Sequence, residues 1–197
     1  MNNENSTQKP SAAAQRRAQL DALLSHVQDR AQALLREHGQ LFPTLCALHD
    51  EGIGVYTANS MEEAESDTHA EDVRLICAAL GASVAVLALQ VWARVVKRGE
   101  PLGLQPYSSL FSDRKEYISL IGAALGGIHA HSLLPVLRDR DGRFSGLGTS
   151  ALMAAKPVVG RYANLLPQSP PSAEDRELAR RLLECRGLVI HAGPLPE

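Results

Sequence analysis

YISLIGAALGGIHAHSLLPVL, residues 117–137, is the stretch that decides the fold of this 197-residue chain. It contains no Asp, Glu, Lys or Arg, and Gly126 and Gly127 stand between its two apolar halves. A pair of glycines between apolar runs is typical of a hairpin turn, because glycine readily adopts positive φ angles. The stretch therefore predicts two antiparallel strands, Tyr117–Leu125 and Ile128–Leu137.

Strands are also predicted on both sides of this hairpin. Phe144–Leu147 continues it into a meander, and residues 83–96, SVAVLALQVWARVV, predict a valine-rich strand that is covered on both faces. Residues 41–49 and 53–58 flank a short loop that contains glycine and predict a β-hairpin. The sequence therefore predicts an antiparallel sheet of five or six strands, arranged as hairpin, helix and meander.

Helices are indicated before, within and after these strands. A long N-terminal helix begins after Ser11 and ends before Gly39, since serine favours the N-cap and glycine the left-handed C-terminal position. A second helix is predicted over Met61–Leu80 and a short third helix over 173–186. The predicted fold class is α+β, with the sheet packed by a long N-terminal helix and a short C-terminal helix.

The length indicates one domain with additional segments at its ends. Residues 1–10 are polar and predict a disordered lead, and residues 11–148 form the α+β domain. Residues 149–171 predict an irregular linker that ends in a proline-rich run. Residues 172–197 add the C-terminal helix and, at 188–190, an edge strand.

Composition argues against several classes of function. Twenty basic and 22 acidic residues give a net charge of −2, and the eight aromatic residues are scattered, which disfavours nucleic-acid binding. The three cysteines, Cys46, Cys77 and Cys185, form no C-x-x-C pair, which is typical of a reducing compartment. The N-terminus lacks the apolar stretch of a secretory signal. We expect a cytoplasmic protein without a cofactor.

A membrane protein is one alternative, because residues 75–93 and 117–137 are free of charge and approach the length of a bilayer span. They would form a two-helix transmembrane hairpin. Gly81 and Gln90 interrupt the first segment, and Pro135 the second, and such residues lower the propensity to insert. We therefore do not expect membrane association.

A metal-dependent enzyme is a second alternative. His129 and His131 alternate on a predicted strand, so their side chains point to one face about 6.5 to 7 Å apart and are able to share a metal ion. A third ligand is required, and the sequence nominates His69, Asp113 or Glu116 without bringing them together.

A concentration of acidic residues favours a different class of function. Six acids fall within eleven residues, at Glu62, Glu63, Glu65, Asp67, Glu71 and Asp72. Such a surface is suited to a basic protein partner. Because no catalytic signature is present, the leading prediction is a non-catalytic protein-binding or regulatory module, of inhibitor or immunity type, that presents this acidic helix. The N-terminal helix, roughly 40 Å long, is longer than a small sheet needs and predicts a homo-oligomer.

The order of elements also carries a resemblance. His38-Gly39-x-x-Phe42-Pro43 enters a strand, Gly52 turns the chain, and Arg138-Asp139-x-Asp141-Gly142-Arg143 follows the later strands. In this order the chain resembles small uncharacterised bacterial α+β proteins of unknown function. The resemblance covers residues 20–148 and implies a fold, but no activity.

Overall fold

A computed structural model describes residues 11–58, 67–93, 114–150, 152–154 and 160–189 of the chain. Within these ranges the fold is α+β, as predicted. The elements are α1 (Ala12–His38), β1 (Thr44–His49), β2 (Gly52–Thr57), α2 (Asp67–Leu80), β3 (Val84–Ala93), β4 (Lys115–Ala124), β5 (Ile128–Arg138), β6 (Phe144–Leu147), β7 (Leu152–Ala154) and α3 (Ala173–Cys185).

The strands form one sheet in the order β2-β1-β3-β4-β5-β6, and every pair is antiparallel. β7 lies off this path and pairs with β5. The six strands of the path confirm the predicted antiparallel sheet. β7 falls within residues 149–171, and Leu188 and Val189 lie outside the strands.

The hairpin of β4 and β5 forms where the two glycines predicted it. Ala124 pairs with Ile128, and the chain reverses through Gly126 and Gly127, whose φ angles are 89° and 74°. Only glycine adopts such angles readily, so both positions need it. The segments 75–93 and 117–137 are thus the end of α2 followed by β3, and the β4–β5 hairpin. No helix in the described ranges is long and apolar enough to cross a bilayer.

Helices cover both faces of the sheet because its central strands are apolar on both faces. In β3 the alternate residues Val84 and Val86 pack beneath α1, whereas Ala85 and Leu87 pack against α2 and α3. All four side chains are fully buried. The molecule therefore has three layers, with the long strands β3 and β4 in the middle.

The apolar stripe of α1 is buried within the same chain. It faces β3, β4 and the strands beside them through Leu20, Leu23, Val27, Ala31 and Leu35. The sequence prediction assigned the surplus length of this helix to a homo-oligomer. The residues of the stripe belong to the core of a single chain, and the homo-oligomer stays a prediction.

α2 and α3 lie on the opposite face and begin or end at identifiable residues. Gly81, with a φ of 64°, follows the last turn of α2. α3 begins at Ser172, which exchanges hydrogen bonds with Asp175 in a capping box. The second helix was predicted from Met61, and residues 61–66 lie outside the described ranges.

A polar network closes the α1 face at one end of the sheet. Glu116 is only 7% exposed and accepts two hydrogen bonds from Arg138, at 2.7 and 2.6 Å. Gln90 also donates to this carboxylate and accepts from the backbone N–H of Leu41, both at 2.6 Å. Arg138 reaches the carbonyl of Gly39 after α1 at 3.0 Å. The network joins α1 to three strands.

We predict that Glu116→Ala lowers the free energy of unfolding by about 3 kcal/mol, because it leaves the partly buried Arg138 without its counter-ion. The control is Arg17→Ala, which removes an exposed pair with Asp21 and should cost about 1 kcal/mol or less. Denaturant titration of both variants measures the difference. Equal losses would show that the network contributes no more than a surface pair.

Candidate functional site

Within the described ranges, β2 is an outer strand of the sheet that lacks the usual protection of an edge. Its sequence, GIGVYT, contains no charged residue and no proline, and its register with β1 is unbroken from Gly52 to Thr57. Charges, prolines and bulges are the devices that normally prevent an edge strand from pairing with another chain. Five of its six residues are half-buried and Thr57 is exposed. Among the residues that the structure describes, β2 therefore presents an open edge.

Alternate residues of β2 direct their main-chain groups away from β1. The N–H of Ala58 donates to the carbonyl of Pro43 at 2.9 Å. In an antiparallel ladder the hydrogen-bonded pairs recur at every second residue, so Gly54 and Tyr56 are also bonded to β1. The residues between them turn their N–H and C=O groups outward. They are Ile53, Val55 and Thr57.

An apolar cleft borders this edge on the α1 side. It lies between α1 and the β1–β2 hairpin and has a volume of about 530 Å³. Leu23 and Ala22 line it from the helix, and Leu48 and Ile53 from the strands. Gln19 and His26 add polar groups. A strand added to β2 would place alternate side chains beside this cleft.

A second cleft, of about 600 Å³, borders the edge on the α2 side. Its walls include Tyr56, Ile76, Leu80 and Val189, and the side chain of Val189 is 68% exposed. Gly54 forms its floor, and a Cβ atom there would lie 2.9 Å from Cδ1 of Leu80. A larger residue at position 54 would therefore have to displace the side chain of Leu80.

Arg30 follows His26 by one turn of α1, and Cys46 faces α1 from β1. Cys46 is fully buried and pairs with Val55 across the ladder. Burial raises the pKa of the Cys46 thiol to about 11, although the positive charge of Arg30 acts in the opposite direction. The Nε atom of Arg30 is buried, and no described residue accepts a hydrogen bond from it.

The two histidines predicted to bind a metal lie side by side on β5, on the face covered by α2 and α3. The Nε2 atom of His131 lies 3.0 Å from Oγ of Ser119, and burial lowers the pKa of this histidine. The imidazole is therefore neutral at pH 7.

The described residues that were nominated as a third ligand do not lie beside His129 and His131. His69 is a buried residue of α2, and its Nδ1 atom lies 2.8 Å from the hydroxyl of Tyr162. Glu116 lies on the opposite face and is bound to Arg138. Asp113 lies outside the described residues, among which no three His, Cys, Asp or Glu side chains are placed to hold a metal ion. A metal site at His129 and His131 stays a prediction.

The acidic residues of the predicted docking helix bind within the chain wherever the structure describes them. Asp67 pairs with Arg161 at 2.9 Å. Glu71 and Asp72 both pair with Arg186, which follows α3, at 2.8 and 2.6 Å. The other three acids of this predicted helix lie outside the described residues: Glu62, Glu63 and Glu65. The described acids therefore hold α2 to its neighbours.

Comparison with protein-family models, curated protein sequences and solved structures finds no match. The resemblance to small bacterial α+β proteins stays a prediction. No relative supplies an activity or a partner, so function is argued from the open edge of β2 and the residues around it.

We predict that a thiol reagent at pH 8 modifies one cysteine per native chain and three in denaturant. Cys185 is exposed, whereas burial raises the pKa of Cys46 to about 11 and that of Cys77 to about 12, so both remain protonated thiols. A colorimetric thiol titration gives the counts. Fast reaction of Cys46 in the native protein would contradict the packing of α1 against β1 and β2.

Proposed function

We propose that this chain is a protein-binding module that accepts an extended segment of a partner protein at the outer edge of β2. The observation that carries the proposal is the set of outward main-chain groups on an uncharged, unprotected edge strand. Addition of a strand to such an edge is a recurring mode of peptide recognition. It needs no change in the fold of this chain.

The two clefts supply apolar contacts, which add to the modest contribution of the main-chain hydrogen bonds. Each intramolecular hydrogen bond contributes only about 0.5–1.5 kcal/mol net, since the same groups bond to water when unbound. Burial of apolar area contributes about 25 cal/mol per Å². Because the side chains of a strand alternate, successive residues of a bound segment would enter the cleft beside Leu23 and the cleft beside Leu80 in turn. The clefts thus provide affinity and selectivity.

A segment of a different protein fits this edge better than a second copy of β2. A second β2 would present only one large side chain, Tyr56, on the α2 side, since Gly52 and Gly54 share that face of the strand. Its two glycines would place no side chain in the cleft between Tyr56 and Leu80. The favoured segment therefore has larger apolar residues on this face.

The proposed function is of the predicted class, a protein-binding module, but its binding surface is the edge of β2 and not the acidic helix. The acidic helix is a poor docking face in its described part, because Asp67, Glu71 and Asp72 already have basic partners within the chain. Displacing those arginines would cost a partner part of its binding energy. An inhibitor or immunity role stays a prediction.

We predict that Val55→Pro abolishes binding of peptides selected from a displayed random library against the native chain. The N–H of Val55 points outward, so proline removes a donor that only an added strand uses, and prolines are tolerated on edge strands. Val55→Thr is the matched control, because it keeps the N–H and the β-branched shape. Fluorescence anisotropy should show at least about a tenfold loss for the proline variant alone.

A second measurement does not depend on the folding of a variant. Methylation of alternate amides in a selected peptide should remove binding in one phase of the alternation and preserve it in the other, because only alternate N–H groups face β2. Equal tolerance of methylation in both phases, or unchanged binding by Val55→Pro, would refute strand addition.

A further inference from the structure

Arg30 lies on the same stripe of α1 that forms the wall of the cleft next to β2. Gln19, Leu23 and His26 line that cleft at spacings of four and three residues, and Arg30 follows His26 after four more. Residues at these spacings share one side of a helix. This stripe faces the β1–β2 hairpin, since Leu48 and Ile53 line the cleft opposite Leu23 and His26.

The guanidinium of Arg30 is the exception among the arginines of α1. Arg16 donates to the carbonyl of Leu125, Arg17 pairs with Asp21, and Arg36 donates to Gln32. For Arg30, no hydrogen bond or ion pair joins the side chain to any described residue, and its Nε atom is buried. A buried donor without an acceptor is costly, at about 1–3 kcal/mol.

Within the described part of the chain, no acid of β1 or β2 approaches Arg30 from the sheet. β1 and β2, with the sequences TLCALH and GIGVYT, have no acidic residue. Asp29 is adjacent in the helix, but neighbouring residues of a helix do not face each other. An acceptor for Arg30 must therefore come from outside these strands.

We infer that the extended segment bound at β2 carries an Asp or Glu side chain that pairs with Arg30. This inference rests on the proposed strand addition. A residue placed opposite Val55 on an added strand directs its side chain to the α1 face, the face on which Arg30 follows the cleft-lining residues of α1. A carboxylate there meets a positive charge and a buried N–H donor, and charge-assisted hydrogen bonds are the stronger class.

The inference gives the partner segment a pattern. Its α1-side residues include one acid among apolar side chains that fill the cleft next to Leu23 and Ile53. Its α2-side residues are large and apolar, since they meet Tyr56, Leu80 and Val189. The segment is thus an apolar strand with a single acidic residue on its α1 side.

The test uses peptides selected from the random displayed library against the full chain. We expect the selected peptides to share an acid at one position of the alternation. Arg30→Gln should weaken their binding by about tenfold or more. Replacing the peptide acid by its amide should have the same effect, and combining both changes should cost little more. Arg17→Gln, on the exposed side of the same helix, is the matched control and should leave binding unchanged.

The outcomes distinguish the acidic contact with Arg30 from strand addition at β2. If peptides lose binding to Val55→Pro but bind Arg30→Gln as tightly as the native chain, the acidic contact is wrong and strand addition stands. The same holds if the selected peptides contain no shared acid. If Val55→Pro binds them normally, strand addition itself fails.

Discussion

Burial of the central strands on both faces is the constraint on which the rest of the structure depends. β3 and β4 place apolar residues on both sides of the sheet, so neither face can remain in water. α1 covers one face, and α2 with α3 covers the other. At one end of this core the buried polar groups form a hydrogen-bonded network, in which Gln90 and Arg138 both donate to the carboxylate of Glu116.

The same constraint leaves β2 open. α1 packs mainly on β3 and β4, and α2 packs on β1, so the helices cover the outer strand β2 less than the central strands. The strand order places β2 at the margin with clefts on both sides, one next to Leu23 and one next to Leu80. An edge strand in this position is usually protected by charge. The proposed binding site is thus a consequence of how the core is packed.

Local signals in the sequence predicted much of the fold. Gly126 and Gly127 give the turn of the central hairpin, and the caps Ser11 and Ser172 start two of the helices where they were predicted. Each of these features depends on residues close together in the chain, where propensity and capping act. The fold class and the antiparallel sheet followed from them.

The site could not be predicted in the same way, because its parts meet only through long-range pairing. β1 pairs with β3 as well as β2, and this order alone makes β2 an edge. The sequence presents Glu71 and Asp72 as acids that a partner could bind. In the fold, Arg186 pairs with both, although it lies more than a hundred residues later in the chain. The one signal in the sequence was the absence of charge in GIGVYT.

The most direct test of the open edge is residue-resolved amide hydrogen exchange in the unbound protein. The N–H groups of Gly54 and Tyr56 bond to β1 and should exchange slowly, whereas those of Ile53, Val55 and Thr57 face outward and should exchange much faster. This alternation is the result that our account predicts. Uniformly slow exchange along β2, with the Val55 amide as protected as that of Gly54, would show that the edge is already occupied and would contradict it.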